Sequence, residues 1–398
     1  MIRKSILELF YEAAHIQRWN DHIRPKGFTE LDKQAHKMII AFVLAKYEES
    51  EHKSNINWVR LIEGGIFEFL HRTVITDIKP PVYHKLLESH GDELNRWVLS
   101  QLKDKVDSIK GDFFARFSEY LFNPLYCPLE KRILKASHYL ATNWEFKIIY
   151  NLNSNLYGIE QTKNDIESQL EGYYDLASVQ KFCLSNKTKN FIDLVGQLRF
   201  QQRWAQSPRV PETSVMGHML IVAMITYLCS IEIDSCDKRL SNNFYGGLFH
   251  DLPEVLTRDI ISPVKRSVGG LEELIKEIEN TQVEEKIFPL LPVDWHEDIK
   301  YFIDDEFSSK IKDCNGIKKV VTSKIISEKY NLNEFSALDG EIIRACDHLA
   351  AYIEASLSIS YGTTSHHLTG AITSFYNTYQ NKDVGGIDFG QLFDYFKV

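Results

Sequence analysis

An all-α fold built as two helical bundles in tandem is predicted by three observations. Apolar residues recur at intervals of three and four, as in Val215, Met219, Val222, Ala223 and Tyr227, which is the period of a helix. Strand-type alternation is sparse. The chain of 398 residues also repeats itself, and at about 100–200 residues per domain that length accommodates two.

The first segment, Met1 to Trp19, mixes charged and apolar residues at helical spacing and reads as an amphipathic helix, not a signal peptide. It ends in Gln17-Arg18-Trp19, which returns as Gln202-Arg203-Trp204, 185 residues later. Gly64-Gly65-Ile66-Phe67 returns as Gly246-Gly247-Leu248-Phe249 at an offset of 182, and eight of the twenty positions 64–83 are identical to 246–265. That same offset carries His36 onto His218, which places three extra residues between Trp19 and His36. Further on, the stretch Ile133 to Ala141 resembles Ile342 to Ala350.

The halves therefore run over residues 1–165 and 189–398, as a tandem duplication. Residues 166–188 are polar, without Pro or a Gly-Ser run, so a helical connector is expected there. In the second half, helices are expected from Val215 to Ser230 and from Ile342 to Leu357. Gly246-Gly247 suits close packing near the start of a helix, and Pro253 fits only a first turn or a kink.

Composition narrows the function classes. With 44% hydrophobic and 25% charged residues the chain has an ordinary globular composition. No apolar run is expected to approach the roughly 20 residues that span a bilayer, so no membrane partner is expected and the cytoplasm is the default location. The six cysteines are scattered with no Cys-x-x-Cys pair, against a zinc ribbon or a disulfide scaffold. A net charge of −9 disfavours a nonspecific nucleic-acid binder, though not a small anionic substrate held by a local basic site.

The chemistry concentrates between Phe249 and Lys265. There His250, Asp251, Glu254 and Asp259 lie within ten residues of an otherwise apolar stretch. Buried carboxylates are costly without a cation or donors to accept them. A divalent metal holding a phosphate explains them most economically; a satisfied structural cluster is the rival. His218, His250, Asp251 and Asp347 make a mixed N/O ligand set suited to Mn, Co, Fe, Ni or Zn. Four such ligands leave room for a water or a substrate oxygen.

The order His218…His250-Asp251…Asp347 resembles the HD-domain metal-dependent phosphohydrolases. The run His250-Asp251, Glu254-Val255-Leu256-Thr257, Asp259, Pro263-Val264-Lys265, with Arg203-Trp204 fifteen residues before His218, is similar to their bacterial 5′-deoxynucleotidase branch. The resemblance implies tandem HD-like bundles, with His218, His250, Asp251 and Asp347 holding one divalent ion. It implies catalytic roles for Glu254, Asp259 and Arg203, and substrate contacts from Arg203, Trp204, Asp259 and Lys265. Bland roles stay open beside these: a solvated first-turn acid for Glu254, a helix cap for Asp259, core for Trp204, surface for Lys265. Two departures are Gly217, where the branch often has Glu, and the 97 residues between His250 and Asp347.

The aligned positions of the first half read His36, Glu68-Phe69 and His138, with Arg72 opposite Glu254. That half is expected to be catalytically inert and to supply the partner surface of an intramolecular pseudo-dimer, the alternative being a homo-oligomer. The implied activity is hydrolysis of the phosphomonoester of (deoxy)nucleoside 5′-monophosphates. A triphosphohydrolase acting on dNTPs and a non-catalytic nucleotide sensor are the alternatives.

Overall fold

Helices carry nearly all the regular structure, in keeping with the three-and-four spacing. The computed structural model describes residues 1–52, 54–258, 260, 268–312, 316 and 318–398. These fall into two units, Met1–Lys181 and Phe182–Val398.

The N-terminal unit comprises α1 (Lys4–Glu12), α2 (Glu30–His52), α3 (Trp58–Ile75), α4 (Pro80–Val106), α5 (Phe113–Phe122), α6 (Pro128–Asn153) and α7 (Ile159–Glu171). Its core lies where α2, α3 and α6 meet, through Ile39, Val43, Ile66, Phe67, Ile133 and Leu134, all at or below 2% exposure. Phe67 stacks on Phe117 of α5 at 4.7 Å between ring centroids. The expected connector, residues 166–188, holds the end of α7, the helix α8 (Ala177–Leu184) and the start of α9 (Asn186–Gly196).

The C-terminal unit continues with α10 (Val215–Glu232), α11 (Asp237–Phe249), a short helix Glu254–Thr257, α12 (Leu271–Gln282), α13 (His296–Ile303), α14 (Gly340–Ser360), α15 (His366–Tyr379) and α16 (Phe389–Asp394). Two minimal antiparallel ribbons, Lys310–Lys312 with Lys318–Val320 and Asp383–Val384 with Ile387–Asp388, are the strands among the described residues. The first lies in the extra length ahead of Asp347, where Ile311, Ile326 and Ala337 form a small apolar cluster of their own.

Helix α10 is the centre of this unit. It is apolar on all sides, as a fully enclosed helix must be. By length and composition Val215–Glu232 could cross a membrane, so the expectation that no run approaches that length does not hold here. Within the unit, however, 94% of that window is buried. Its N-terminus is capped by Ser214, whose Oγ accepts the Gly217 amide at 2.9 Å.

Close packing then fixes α11 on α10. A Cβ on Gly247 would lie 2.9 Å from the Cα of Ala223, so only glycine allows the two backbones to cross this near. Gly246-Gly247 thus sits near the end of α11, not near the start of a helix as the sequence suggested. Helix α14 is anchored by its first residues. Asp339, fully buried, takes Arg239 Nε at 2.7 Å and Asn243 Nδ2 at 2.7 Å, both from α11. Each of these contacts brings a ligand-type side chain toward the same point.

Several devices occur in both units. Antiparallel bridges join Gln17 to Thr29 and Gln202 to Ser214. Trp19 and Trp204 both have positive φ, 56° and 58°, a conformation costly for a bulky side chain. Thr76 and Arg258, 182 residues apart, each end a helix at φ 65°. These recurrences correct the expected register of α2 on α10. The bridge partners Thr29 and Ser214 each stand directly before a helix, α2 or α10, and are 185 apart. At that offset Lys33, not His36, corresponds to His218. The offset is 185 at the start of these helices and 182 at Gly64 and Gly246, so the three extra residues fall between Lys33 and Gly64. His36 instead sets its ring edge-on against Trp144 at 4.9 Å.

Candidate metal centre

Three helices of the C-terminal unit, α10, α11 and α14, converge on one point. His218 projects from the first turn of α10, and Asp347 from the middle of α14. Helix α11 stops at Phe249, leaving His250 as its cap and Asp251 in the turn that follows. That break separates His250 and Asp251 from the short helix that carries Glu254, with Pro253 just before its first turn. The chain turns tightly there, Leu252 N donating to Phe249 O at 2.9 Å and Glu254 N to Asp251 O at 3.1 Å.

The ligand-type atoms of His218, His250 and Asp347 all lie within 4.8 Å of one another. His218 Nε2 is 2.9 Å from Asp347 Oδ1, and Asp251 Oδ2 is 3.2 Å from His250 Nε2 and 4.0 Å from His218 Nε2. His250 Nδ1 is 2.8 Å from the carbonyl of Gly247. With the proton on Nδ1 that bond turns the Nε2 lone pair toward the cluster, and Nε2 is buried without a hydrogen bond of good geometry. Two imidazole nitrogens and the Asp347 carboxylate in such a space, with Asp251 at its edge, fit a divalent ion of the borderline class.

The electrostatics point the same way. Burial opposes ionisation throughout, but the Asp251 carboxylate beside His250 raises the imidazole to about 9. Burial likewise opposes the Asp251 anion, yet His250 and His218 hold its carboxyl down at about 2. The hydrogen bond and charge of His218 hold Asp347 well below the usual carboxylate range, against its own burial. The cluster therefore stabilises added positive charge.

One residue that the sequence reading did not single out organises the rim. Glu354, seven positions after Asp347 on α14, is fully buried. It accepts the Trp204 indole N–H at 2.9 Å and the Thr213 hydroxyl at 2.6 Å. Arg203 Nε lies 3.5 Å from the same carboxylate, while Arg203 Nη1 lies 3.6 Å from Asp251. His218 Nδ1 is 3.9 Å away on its other side. Burial opposes the Glu354 anion, but Arg209, Arg203 and His218 hold it at about 2. In the N-terminal unit, Glu145 likewise takes Trp19 Nε1 at 2.8 Å and Arg18 Nε at 2.9 Å. The tryptophan–glutamate bond thus exists where no histidine–aspartate pair does, which makes it part of the scaffold. A signal was present in the sequence, since each of these glutamates follows the matched residue, His138 or Asp347, by seven.

The structure thus brings together His218, His250, Asp251, Asp347 and Arg203, and ties Trp204 to them through Glu354. Glu254 is buried at the start of the short helix, one turn past Asp251. Asp259 and Lys265 lie outside the described residues.

Residues 195–375 match the HD domain family. The C-terminal unit carries an HD domain. The relatives similar to this part of the chain are named 5′-deoxynucleotidases. The HD domain is similar to the 5′-deoxynucleotidase of Pasteurella multocida, 22% identical over 187 residues that cover 44% of this chain and 77% of the relative. It is similar to that of Vibrio atlanticus, 28% identical over 29% of this chain and 61% of the relative. A third, from Vibrio vulnificus, is 26% identical over 30% of this chain and 63% of the relative. For the last two, the match spans less than two thirds of the relative's length.

Proposed function

We propose that the HD domain hydrolyses the phosphomonoester of (deoxy)nucleoside 5′-monophosphates with one divalent ion. The observation that carries this reading is the convergence of two buried imidazoles and the Asp347 carboxylate within 4.8 Å, with Asp251 3.2 Å from His250 and Arg203 reaching toward Asp251. The relatives named 5′-deoxynucleotidase support the substrate class.

In this reading His218, His250, Asp251 and Asp347 hold the ion. Such an ion lowers the pKa of a bound water and polarises a phosphoryl oxygen. Arg203 orients the phosphate, because its planar fork matches two phosphate oxygens. It stands 3.5 Å from Glu354 and 3.6 Å from Asp251, so a phosphate needs only a small shift of its guanidinium. Glu254 holds or moves the proton at the reacting phosphate, as a buried carboxyl near such charge suits. Trp204, with its N–H committed to Glu354, offers the sugar only its ring.

The test is a product assay. With Mn²⁺ or Co²⁺ the full chain should release orthophosphate from dNMPs, and Asp251→Ala should abolish the release. Unchanged activity in that variant would refute the site. Tripolyphosphate released from dNTPs, with no action on monophosphates, would refute the substrate.

A further inference from the structure

The corrected register shows what replaced the metal ligands in the N-terminal unit. Lys33 stands at the place of His218, Glu68 at that of His250, Phe69 at that of Asp251 and His138 at that of Asp347. Arg72 stands at the place of Glu254. Only Glu68 and His138 remain ligand-type, so one cationic side chain has entered the ligand set and another has replaced the acid.

The carboxylates around this point are already paired. Glu30 takes Arg18 Nη1 at 2.9 Å and Gln34 Nε2 at 2.6 Å. Glu145 takes Arg18 Nε and Trp19 Nε1. Glu68 takes Lys37 Nζ at 2.6 Å and the Tyr120 hydroxyl at 2.6 Å.

Among the described residues, two cations have no hydrogen bond to a carboxylate, although Glu30 lies within charge reach of both. Lys33 Nζ, fully buried, meets the two ring nitrogens of His138 at 2.8 and 2.9 Å. A neutral imidazole offers one acceptor, and this imidazole is kept neutral by burial and by Lys33, Lys37, Arg18 and Arg72 around it. Arg72 comes no closer than 4.0 Å to Glu30, its guanidinium resting over the Tyr83 ring at 5.0 Å. His138 and Arg72 each keep part of their surface exposed, 14% of the side chain for Arg72.

We propose that the N-terminal unit binds a phosphate-class oxyanion, either orthophosphate or the phosphate of a nucleotide, between Lys33 and Arg72 beside His138. Taking an ammonium out of water costs several kcal/mol unless hydrogen-bonded partners offset it, and the carboxylates nearest Lys33, Glu30 and Glu145, are hydrogen-bonded to Arg18 instead. Arginine's fork and lysine's point charge together suit a tetrahedral oxyanion. In the HD domain carboxylates hold a cation that in turn holds the phosphate. In the N-terminal unit the side chains supply the positive charge directly.

The alternative is that Lys33 gives up its proton, as its burial and the charge of Arg18 favour. Calorimetry on the full chain distinguishes the two. The protein carries Asp251→Ala and is kept in EDTA, so that the HD domain is silent. The probes are sodium orthophosphate and dAMP, each against sodium chloride of equal ionic strength. Saturable binding of one equivalent is expected, weakened at least tenfold by Arg72→Gln and by Lys33→Met. Tighter binding of dAMP assigns the site to a nucleotide, and equal binding assigns it to free phosphate. No saturable heat from either probe would overturn the proposal, as would binding that both variants leave unchanged. Arg72 keeps part of its side chain exposed, so its variant stays informative should Lys33→Met disturb the fold.

Discussion

Glu354 is a single buried side chain that ties together three residues at the rim of the candidate metal centre. Its carboxylate holds the Trp204 indole and stands behind both Arg203 and His218. Removing its charge while keeping its shape, by Glu354→Gln, should cost about 1.5–3 kcal/mol of charge-assisted bonding. The loss should appear mainly as a raised KM for dNMPs, since Arg203 loses its tether while the metal ligands stay in place. A purely structural role would lower the melting temperature and leave KM alone. Trp204→Phe leaves a buried acceptor with one donor fewer, so it should destabilise the HD domain by about 1–3 kcal/mol, read by thermal unfolding. Of these residues, Arg203, Trp204, His218, His250, Asp251 and Asp347 were legible in the sequence through their order and spacing. Glu354 was passed over because a glutamate within an apolar helix carries no motif. Lys33 was passed over because matching histidine to histidine hid the register that the bridges before α2 and α10 set.

At the scale of elements, the site depends on where α11 crosses α10. Gly247 lets the backbones approach, and the break after Phe249 turns His250 and Asp251 back toward His218. Gly247→Ala forces a Cβ against the Ala223 backbone, and such overpacking costs typically about 1–3 kcal/mol. The same substitution should release the metal at lower chelator concentration than wild type, because it moves His250 relative to His218. An unchanged chelator titration would mean that the crossing does not set the site. The sequence shows the two glycines but not on which end of a helix they lie. Periodicity cannot place a helix end when the next turn, Asp251 to Pro253, is short and its neighbours are equally apolar. The ribbon Lys310–Lys312 with Lys318–Val320 was equally hidden, since strands of three residues carry no alternating pattern.

Across the whole molecule, the recurring bridges, tryptophan conformations and tryptophan–glutamate bonds support the reading of a tandem duplication in which one copy kept the chemistry. If the two copies form an intramolecular pseudo-dimer, light scattering should find a monomer, and a homodimer would contradict that arrangement. The N-terminal unit should also show its own acid sensitivity. Glu30 is held at about 2 against a usual value of 4.5, because the charges of Arg18, Lys33 and Arg72 overcome its burial. A depressed carboxylate stabilises fully above the unfolded value and loses that contribution as pH falls from about 4.5 toward 2. Glu30→Gln should therefore flatten the fall in stability over that window, measured by denaturant unfolding at a series of pH values. The central claim is that metal-dependent chemistry resides in the C-terminal unit alone, on His218, His250, Asp251 and Asp347. Metal analysis of the full chain, stripped with EDTA, reloaded with Mn²⁺ or Co²⁺ and freed of excess ion, tests it most directly. One ion per chain is predicted, falling to none in His218→Ala; two ions per chain, or one retained in that variant, would contradict it.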